Sequence, residues 1–511
     1  MRSTGIIIAL AGLMAFGAAR ADAQGILSPM PSSNGVYHSA TSKSEVWFGT
    51  SKGVVRTAGS TSQWMQYGGD TAFANRSIFA IAALGDTVWA STGYDKESDG
   101  QSTTTGSGLT YTFDAGLTWR HVPQPVDGRG DSIIVYGANR IKALPVVVPE
   151  QNVIYGLSVA PHATWIASWA GGIRKSTDNG GTWQRVLLPP DTLDAISPDQ
   201  QLNLQLNPRN PPEGNRNHLG FSVLALSDSI IWAGTAGGVN VSTDGGSSWR
   251  KFTHQNQVGG ILANWVTKIK AQSIPSGWRI WTTNWPAEDP DERRGVSCTD
   301  DNGQTWHHLL ERVKCYDFAF RDSVVFVASD DGPYRTSDLG ASWTKTNRIV
   351  DTLGLQVITS NSAYTVAVSA DTVWVGTSDG IAATRDDSVQ KFGLIWSIAR
   401  AAQPVADRAA AYVYPNPFSP STESVRIHYA VVGAGWGALL PYPTVSIDIF
   451  DFAMNRVRTL LSGASRPPLG QMDELWDGRD DGGSIVPNGV YFVRIRINDD
   501  DPLWAKALVI R

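Results

Sequence analysis

Two short stretches of this chain combine a hydroxyl, a carboxylate and glycines, the groups that catalytic loops often use. They read STDNGGTW at 176–183 and STDGGSSW at 242–249. An aspartate beside a hydroxyl can act in general acid–base chemistry. The same residue types also close tight turns, because aspartate oxygens accept hydrogen bonds from turn amides and glycine adopts positive φ. How often the pattern recurs distinguishes the two interpretations.

The pattern S/T-x-D-x-G-x-x-W occurs in five complete copies. Its aspartates and tryptophans are Asp114, Asp178, Asp244, Asp301 and Asp338 with Trp119, Trp183, Trp249, Trp306 and Trp343. Two incomplete copies flank them, TAGSTSQW at 57–64 and TRDDSVQKF from 384, which brings the count to seven. Turn hydrogen bonding and aromatic packing explain every position, so we predict that these aspartates and tryptophans are structural.

A second shared segment precedes each copy, for example VWFGTSKGVVR at 46–56 and IWAGTAGGVNV at 231–241. Each segment reads as a strand, a small-residue turn and a second strand, with a further apolar strand before it and a closing strand after the aspartate turn. Four strands per repeat predict an all-β chain with a seven-bladed β-propeller over 24–398. The abundance of glycine and tryptophan, at 51 and 20 residues, agrees with short strands joined by tight turns.

The octet resembles the Asp-box of bacterial-neuraminidase-type (BNR) repeats, which occur in sialidases, sortilin-like propellers, xyloglucan-active hydrolases and photosystem II assembly propellers. The resemblance covers roughly residues 35–396 and implies the propeller fold. Sialidases also need an arginine cluster and a tyrosine nucleophile, usually with an early F/Y-R-I-P segment. That segment is absent from the sequence, so sialidase activity is not expected.

Long insertions single out one face of the predicted propeller. They follow Gly93 and Asn284, between the second and third strands of a repeat, and they fill 127–150 and 188–219, between repeats. All four connections belong to the same face, where long loops usually carry function. The candidate ligand-binding residues in its turns are Lys52, Tyr94, Trp169, Trp285 and Asp330. The two tryptophans replace small residues and are suited to stacking on a sugar or anchoring a peptide.

Asp331 and Asp379 fall on neighbouring predicted blades, and a pair of carboxylates is what glycosidases use. Solvated turn carboxylates are the simpler interpretation. Two functions therefore stay open: a non-catalytic propeller that binds a protein or polysaccharide, and a glycoside hydrolase, xyloglucanase-like or of another glycan-cleaving type. We favour binding, because the sequence shows no recognisable catalytic set. Neither a cofactor nor a metal is expected, since the eight histidines form no H-E-x-x-H.

The ends of the chain indicate export. Residues 1–23 combine Arg2, an apolar run and the small residues Ala21 and Ala23, which is the pattern of a secretory signal peptide. No later segment is apolar over the length of a membrane span.

The formal net charge of −5 argues against nucleic acid as a partner. Cys298 and Cys315 fall at opposite ends of their predicted strands, so we predict a separation beyond disulfide reach.

The composition and the motifs of the sequence change after the last repeat. An alanine-rich linker is predicted over 399–411, followed by a domain over 412–511 with YPNPFSP at 414–420, VSIDIFDFAMNRVRTLL at 445–461 and WDGRDDGGSIVPNGVYFVRIRI at 476–497. These segments resemble the FlgD-type immunoglobulin-like tail and the C-terminal sorting domains of type IX secretion cargo. The resemblance implies an immunoglobulin-like β-sandwich, the type IX machinery as a partner, and an extracellular or outer-membrane location in a Gram-negative bacterium.

Overall fold

The structure is a computed structural model that describes residues 20–21, 25–57, 63–68, 73–98, 101–207, 215–351, 356–401, 411–421, 423–432, 443–466, 469–498 and 500–511. Across these ranges the chain is all-β apart from a 3-10 turn at Arg216–His218. The predicted signal peptide lies outside the described residues except for Arg20–Ala21, and most of the predicted linker also lies outside them.

Seven sheets follow one another along the chain, each with four antiparallel strands in sequence order, which we name a to d. Blades 1 to 4 consist of Val36–Ser42, Glu45–Thr50, Gly53–Thr57 and Trp64–Tyr67; Ser77–Leu84, Thr87–Ser98, Gln101–Thr112 and Trp119–Val122; Ile154–Val159, Thr164–Ser168, Gly172–Ser176 and Gln184–Arg185; and Gly220–Ala225, Ile231–Thr235, Gly238–Ser242 and Trp249–Phe252. Blades 5 to 7 consist of Trp265–Ile274, Gly277–Trp285, Gly295–Thr299 and His307–Leu309; Cys315–Arg321, Val324–Ser329, Gly332–Thr336 and Thr344–Lys345; and Ala363–Ser369, Thr372–Thr377, Gly380–Arg385 and Ser397–Ala399.

The a strands contact one another in order around a closed ring, and the ring is completed between blades 7 and 1. There Ser39 Oγ lies 2.6 Å from Thr365 Oγ1, and Gly380 N donates to Asn34 O at 2.8 Å. The chain therefore folds as a seven-bladed β-propeller whose blades each come from one continuous segment. Short strands at Arg20–Ala21, Ile26–Ser28 and Ala195–Ile196 pair with the outer d strands of blades 2, 1 and 4, which covers edges that would otherwise be open.

The aspartate turn of each complete repeat joins strands c and d through the same hydrogen bonds. Asp178 Oδ1 accepts from Ser176 Oγ and from Thr182 N, both at 2.8 Å, and Asp178 Oδ2 accepts from Thr182 Oγ1 at 2.7 Å. The hydroxyl that reaches the second carboxylate oxygen comes from Thr118, Thr182, Ser248, Thr305 or Ser342. The residue before the tryptophan is thus part of the turn, a position that the sequence pattern had left open.

The glycine of each turn allows neighbouring blades to pack closely. Gly180 has φ of 82°, and a Cβ there would lie 3.2 Å from the ring of Trp89 in the preceding blade. A Cβ on Gly246 would lie 2.7 Å from Trp165. The aromatic side chains on the b strands are buried between blades: Trp47, Trp89, Trp165, Trp232, Trp281, Phe326 and Trp374. The turn therefore fixes the hairpin and also seats the blade against its neighbour.

Three of the expected loops are more ordered than the sequence indicates. The insertion after Gly93 does not leave the sheet: strands Thr87–Ser98 and Gln101–Thr112 continue into a long hairpin, since alternating threonines and serines suit extended backbone. Residues 127–150 and 188–219 share a small sheet of Ile133–Tyr136, Asn139–Ala143 and Gln205–Leu206.

After the propeller the chain forms two facing sheets with a core of their own. One sheet has the order Tyr412–Tyr414, Val425–Val432 and Leu469–Trp476, and the other has the order Arg456–Ser465, Thr444–Phe450, Gly489–Ile497 and Leu503–Val509. Alternating residues on the central strands enter the core between the sheets, namely Val445, Ile447 and Ile449 with Tyr491, Val493, Ile495 and Ile497. Hydrophobic burial of this alternation holds the sandwich together.

Cys298 and Cys315 are both buried as free thiols in the core between blades 5 and 6. Burial raises the pKa of Cys298 to about 12 and raises that of Cys315 further, so neither thiol ionises at neutral pH. Among the described residues, no helix has the length and hydrophobicity needed to cross a membrane.

Candidate ligand-binding funnel

Every a strand carries a β-bulge at its second or third residue, on the face where the long insertions lie. In blade 1 the pairing register steps from Val36 to His38, and the residue left out of the ladder is Tyr37. The same step occurs in all seven blades, and the bulged residues are Tyr37, Phe79, Tyr155, Phe221, Thr267, Tyr316 and Tyr364. A bulge redirects its side chain out of the sheet. Six of the seven bulged residues are aromatic, the exception being Thr267. All of the bulged residues except Phe79 line a cavity at the mouth of the central channel.

These aromatic rings contact one another around the mouth. The centroid distance from Phe79 to Tyr155 is 6.0 Å, and that from Tyr155 to Phe221 is 6.5 Å. On the opposite side, Tyr316 lies 5.3 Å from Tyr364, which lies 5.2 Å from Tyr37. The inner strands therefore present a band of aromatic side chains rather than isolated rings.

Three tryptophans complete the band between blades 3 and 6. Trp169, in the b–c turn of blade 3, lies 5.2 Å from Phe221 and 6.1 Å from Trp265. Trp265 and Trp285 are cross-strand partners in blade 5. The Trp285 indole donates to Cys315 O at 3.0 Å, and its ring lies 5.7 Å from the ring of Tyr316. All three indoles border the cavity, and each is held by neighbouring rings or a hydrogen bond.

The band encloses a funnel of about 580 Å³. One wall is polar and comes from the tip region of the blade 2 hairpin, where Ser102, Thr103 and Thr104 face the cavity beside Gln151. Gln151 N donates to Thr104 O at 3.0 Å, and Lys96 Nζ lies 2.6 Å from Glu150 Oε1, so the hairpin is tied to the next insertion. The funnel thus combines aromatic faces with hydroxyl and amide groups, the composition of a small-molecule or polymer binding site.

The floor of the funnel is an ionic cluster on the a strands of blades 5 to 7. Asp317 Oδ1 lies 2.8 Å from Lys270 Nζ and 3.6 Å from Lys268 Nζ, and Asp317 Oδ2 accepts from Thr365 Oγ1 at 2.6 Å. Burial acts to raise the pKa of Asp317, but the two lysines outweigh it and the net pKa falls, so the carboxylate is ionised. Burial, together with the nearby lysine charges, lowers the pKa of His38 to about 3, and this imidazole is neutral at physiological pH.

The structure separates the other predicted ligand-binding residues from the funnel. Lys52 is exposed on the b–c turn of blade 1, where its amide donates to Thr50 Oγ1 at 3.0 Å. Tyr94 lies on the blade 2 hairpin with Arg76 over its ring, 5.1 Å from the centroid. Asp330 Oδ1 accepts from Lys314 N at 3.2 Å. Of the five predicted residues, Trp169 and Trp285 line the cavity.

The two candidate catalytic carboxylates are each held by their own cations. Asp331 Oδ1 lies 2.6 Å from Lys345 Nζ, and Asp331 Oδ2 accepts from Tyr334 Oη at 3.0 Å. The Lys345 hydrogen bond is the largest influence on the pKa of Asp331 and lowers it. The pair is not among the residues that line the funnel.

Asp379 is largely covered, with a side chain 12% exposed, rather than the solvated turn carboxylate that the sequence indicates. Its Oδ2 lies 2.6 Å from Arg426 of the C-terminal sandwich and accepts from Thr359 N at 2.8 Å, while Arg400 lies 3.3 Å from Oδ1. Burial acts to raise the pKa of Asp379, but Arg400 and Arg426 outweigh it and lower the net value. Proton donation by a general acid calls for the opposite shift.

No protein-family model matches this chain, and no curated protein matches it. Among solved structures, it is similar to PorZ of Porphyromonas gingivalis, described as an essential bacterial surface component of the type-IX secretion system, at 14% identity over 94% of this chain and 75% of that chain, with a TM-score of 0.31. It is also similar to the GH74 enzyme of Niastella koreensis at 14% identity over 94% of this chain and 73% of that chain, with a TM-score of 0.48. The WD40 beta propeller domain of Doa1 matches at 11% identity over 74% of this chain and 100% of that domain, with a TM-score of 0.41. These neighbours are β-propellers. At such identities the comparison concerns fold, and function has to be argued from the site.

Sequence reasoning found two of the funnel tryptophans and missed the rest of the aromatic band. Trp169 and Trp285 stood out because they interrupt a turn of small residues. The bulged aromatic residues lie within the a strands, where the sequence pattern predicts that an aromatic residue belongs to the hydrophobic core. Aligning the repeats on the a strand instead of on the octet would have placed Tyr37, Phe79 and their equivalents in one column.

Proposed function

We propose that this chain is an exported, non-catalytic binding protein that holds a polysaccharide in the funnel of its propeller. The observation that carries the proposal is the band of aromatic side chains at the channel mouth, to which six of the seven blades contribute a bulged ring. A fold that needed these rings for its core would bury them between blades, as it does Trp89 and Trp165.

The chemistry of the funnel suits a sugar chain. A pyranose ring has an apolar face, which packs on an aromatic ring, and hydroxyls at its edge, which exchange hydrogen bonds with polar side chains. The funnel offers the first in Trp169, Trp265 and Trp285 and the second in Ser102 and Gln151. Contacts among the rings hold them in place before a ligand arrives, which reduces the entropy cost of binding.

A protein ligand is the other partner that an aromatic surface accommodates, because buried aromatic residues anchor many protein interfaces. A concave funnel of about 580 Å³ matches the size of small-ligand and oligosaccharide pockets better than a flat protein interface does. We therefore place the polysaccharide first.

The second candidate function is glycan hydrolysis, the activity named for the GH74 enzymes that share the propeller fold. Retaining and inverting glycosidases both place two carboxyl groups beside the scissile bond. The fifteen described residues that line the funnel include eight aromatic side chains and no Asp or Glu. Asp331 and Asp379 lie in ion pairs elsewhere, so the lining favours binding.

The test measures binding and cleavage together. The full-length mature protein is titrated with plant, algal and microbial polysaccharides while the release of reducing ends is recorded. We expect binding without release, and we expect the double variant Trp169→Ala/Trp265→Ala to lose at least about tenfold in affinity, since two stacking platforms are removed. The matched control is Trp278→Ala, because this tryptophan is 49% exposed at the opposite end of the blade 5 hairpin and does not itself line the funnel.

Three outcomes separate the candidates. Release of reducing ends that disappears in Asp331→Asn or Asp379→Asn would establish the hydrolase instead. Binding that survives the double variant unchanged would remove the funnel from the proposal. A lack of binding to every polysaccharide, with capture of a protein that the double variant no longer holds, would replace the sugar ligand by a protein.

The C-terminal sandwich completes the proposal as an immunoglobulin-like sorting domain for the type IX secretion machinery. The support comes from the segments at 414–420, 445–461 and 476–497 and from a separate hydrophobic core, which allows the sandwich to act as an independent module. Removal of 412–511 should leave the propeller inside the cell envelope of the source organism. A truncated protein that still reaches the surface would contradict this role.

A further inference from the structure

We infer that the funnel selects polysaccharides that carry carboxylate groups, and that Lys268 at its floor is the residue that binds a uronate carboxylate. The inference rests on the proposed function and specifies its ligand. It makes Lys268 a specificity-determining residue at a site where the aromatic band supplies the sugar contacts.

The floor of the funnel has an excess of positive charge. Lys268 and Lys270 share the single carboxylate of Asp317, while the fourth group, His38, is neutral. The second oxygen of that carboxylate is already engaged by Thr365 at 2.6 Å. One unit of positive charge is therefore left in a partly desolvated site, where a counter-ion interacts more strongly than it would in water.

The two lysines differ in how fully they are engaged. Lys270 Nζ lies 2.8 Å from Asp317 Oδ1 and also donates to Phe318 O at 2.7 Å. Lys268 Nζ lies 3.6 Å from the same carboxylate oxygen, which is beyond hydrogen-bond distance, and its side chain borders the funnel at 25% exposure. An ammonium group has three donors. Lys268 thus has donors left for a ligand, whereas Lys270 is held within the fold.

The rim carries charges of both signs, whereas the floor is positive. Lys314 Nζ lies 4.1 Å from the centroid of the Trp285 ring and 5.6 Å from that of the Tyr316 ring. Asp95 accepts from Thr104, a residue of the polar wall, at 2.8 Å. One carboxylate per sugar matches the single unit of excess positive charge that Lys268, Lys270 and Asp317 leave at the floor.

The test compares matched glycans that differ in charge. Short oligogalacturonates, their methyl esters and neutral cello-oligosaccharides of the same length are titrated into the full-length protein by calorimetry, with oligoalginate and oligohyaluronate as further acidic probes. We expect at least one acidic oligosaccharide to bind about tenfold or more tightly than its esterified form. Lys268→Met should remove that difference, while Lys268→Arg should retain it.

The control variant is Lys43→Met, which removes an exposed lysine paired with Asp86 outside the funnel. It should leave the preference for the acid intact. Thermal unfolding monitors the fold of Lys268→Met, in which Asp317 keeps Lys270 as its partner. A variant that unfolds is replaced by Lys268→Gln, which retains polarity without charge.

Each remaining outcome overturns the inference. Equal binding of acid and ester, or binding of the neutral glycans alone, would show that the funnel ignores charge while the proposed function stands. Preference for sulfated oligosaccharides would assign a different anion. Peptides with a free C-terminal carboxylate that bind better than their amides, with no glycan bound, would replace both the ligand class and the proposed function.

Discussion

At the scale of single residues, each aspartate turn is one compact network that closes the c–d hairpin. The carboxylate accepts an amide and two hydroxyls, and its removal leaves the exposed donors of Thr182 to water, so the hairpin loses the net contribution of the bonds. Asp178→Ala should therefore lower the free energy of unfolding by about 1 kcal/mol. Chemical denaturation measures the change, and Asp199→Ala, at an exposed loop position, is the matched control. An equal effect of both variants would show that the turn network contributes nothing.

The same turns predict how stability depends on pH. Hydrogen bonds from the Ser342 hydroxyl and amide lower the pKa of Asp338 to about 2 from an ordinary 3.8. The unfolded chain therefore takes up this proton before the folded chain does. The stabilisation is fully present above about pH 4 and is lost as the pH falls toward 2. Asp338→Asn should flatten the fall in unfolding free energy over this window, and an unchanged slope would contradict the assignment.

At the scale of elements, the repeats revealed the blades because turn chemistry is local. Ser176, Asp178 and Gly180 interact within one hairpin, so their spacing alone predicts the turn. The β-bulges are different, since a bulge is a mismatch between strands a and b and depends on how they pair. Tyr37 and Phe79 were visible in the sequence, but their exit from the sheet was not. The long hairpin was missed for the opposite reason: its polar residues resemble a loop, yet cross-strand pairing keeps them extended.

The hairpin of blade 2 supplies a prediction at this scale. Replacement of residues 95–104 by a two-residue Asn-Gly turn removes the polar wall at Ser102 and Thr103 but leaves the pairing of Val88 with Thr112. We expect weaker glycan binding, by about tenfold, with little change in thermal stability, because the removed strands lie beyond the inter-blade core. Calorimetry and thermal unfolding on the same sample check both parts. A large loss of stability with unchanged affinity would assign the hairpin a structural role instead.

At the scale of the whole molecule, a buried ionic contact joins the propeller to the sandwich. Arg426 lies on a strand of the sandwich, and its guanidinium contacts Asp379 Oδ2 and Val357 O of blade 7. Arg400, at the end of the propeller, shares the same carboxylate. A buried charge that loses its partner is costly, so this contact favours one arrangement of the two parts. Both sides of the contact were present in the sequence, but the pairing of residues 379 and 426 follows from the tertiary structure.

Loosening this contact should separate the two parts without unfolding either one. Arg426→Met leaves Asp379 with Arg400 alone, and the sandwich retains its own core around Val445 and Trp476. We expect limited proteolysis to cut between the propeller and the sandwich several times faster than in the unmodified protein. Small-angle scattering of the variant should show a larger radius of gyration. Arg456→Met, at an exposed position of the sandwich, should change neither measurement. Unaltered cleavage and scattering in Arg426→Met would mean that the rest of the interface, and not this ion pair, holds the sandwich against blade 7.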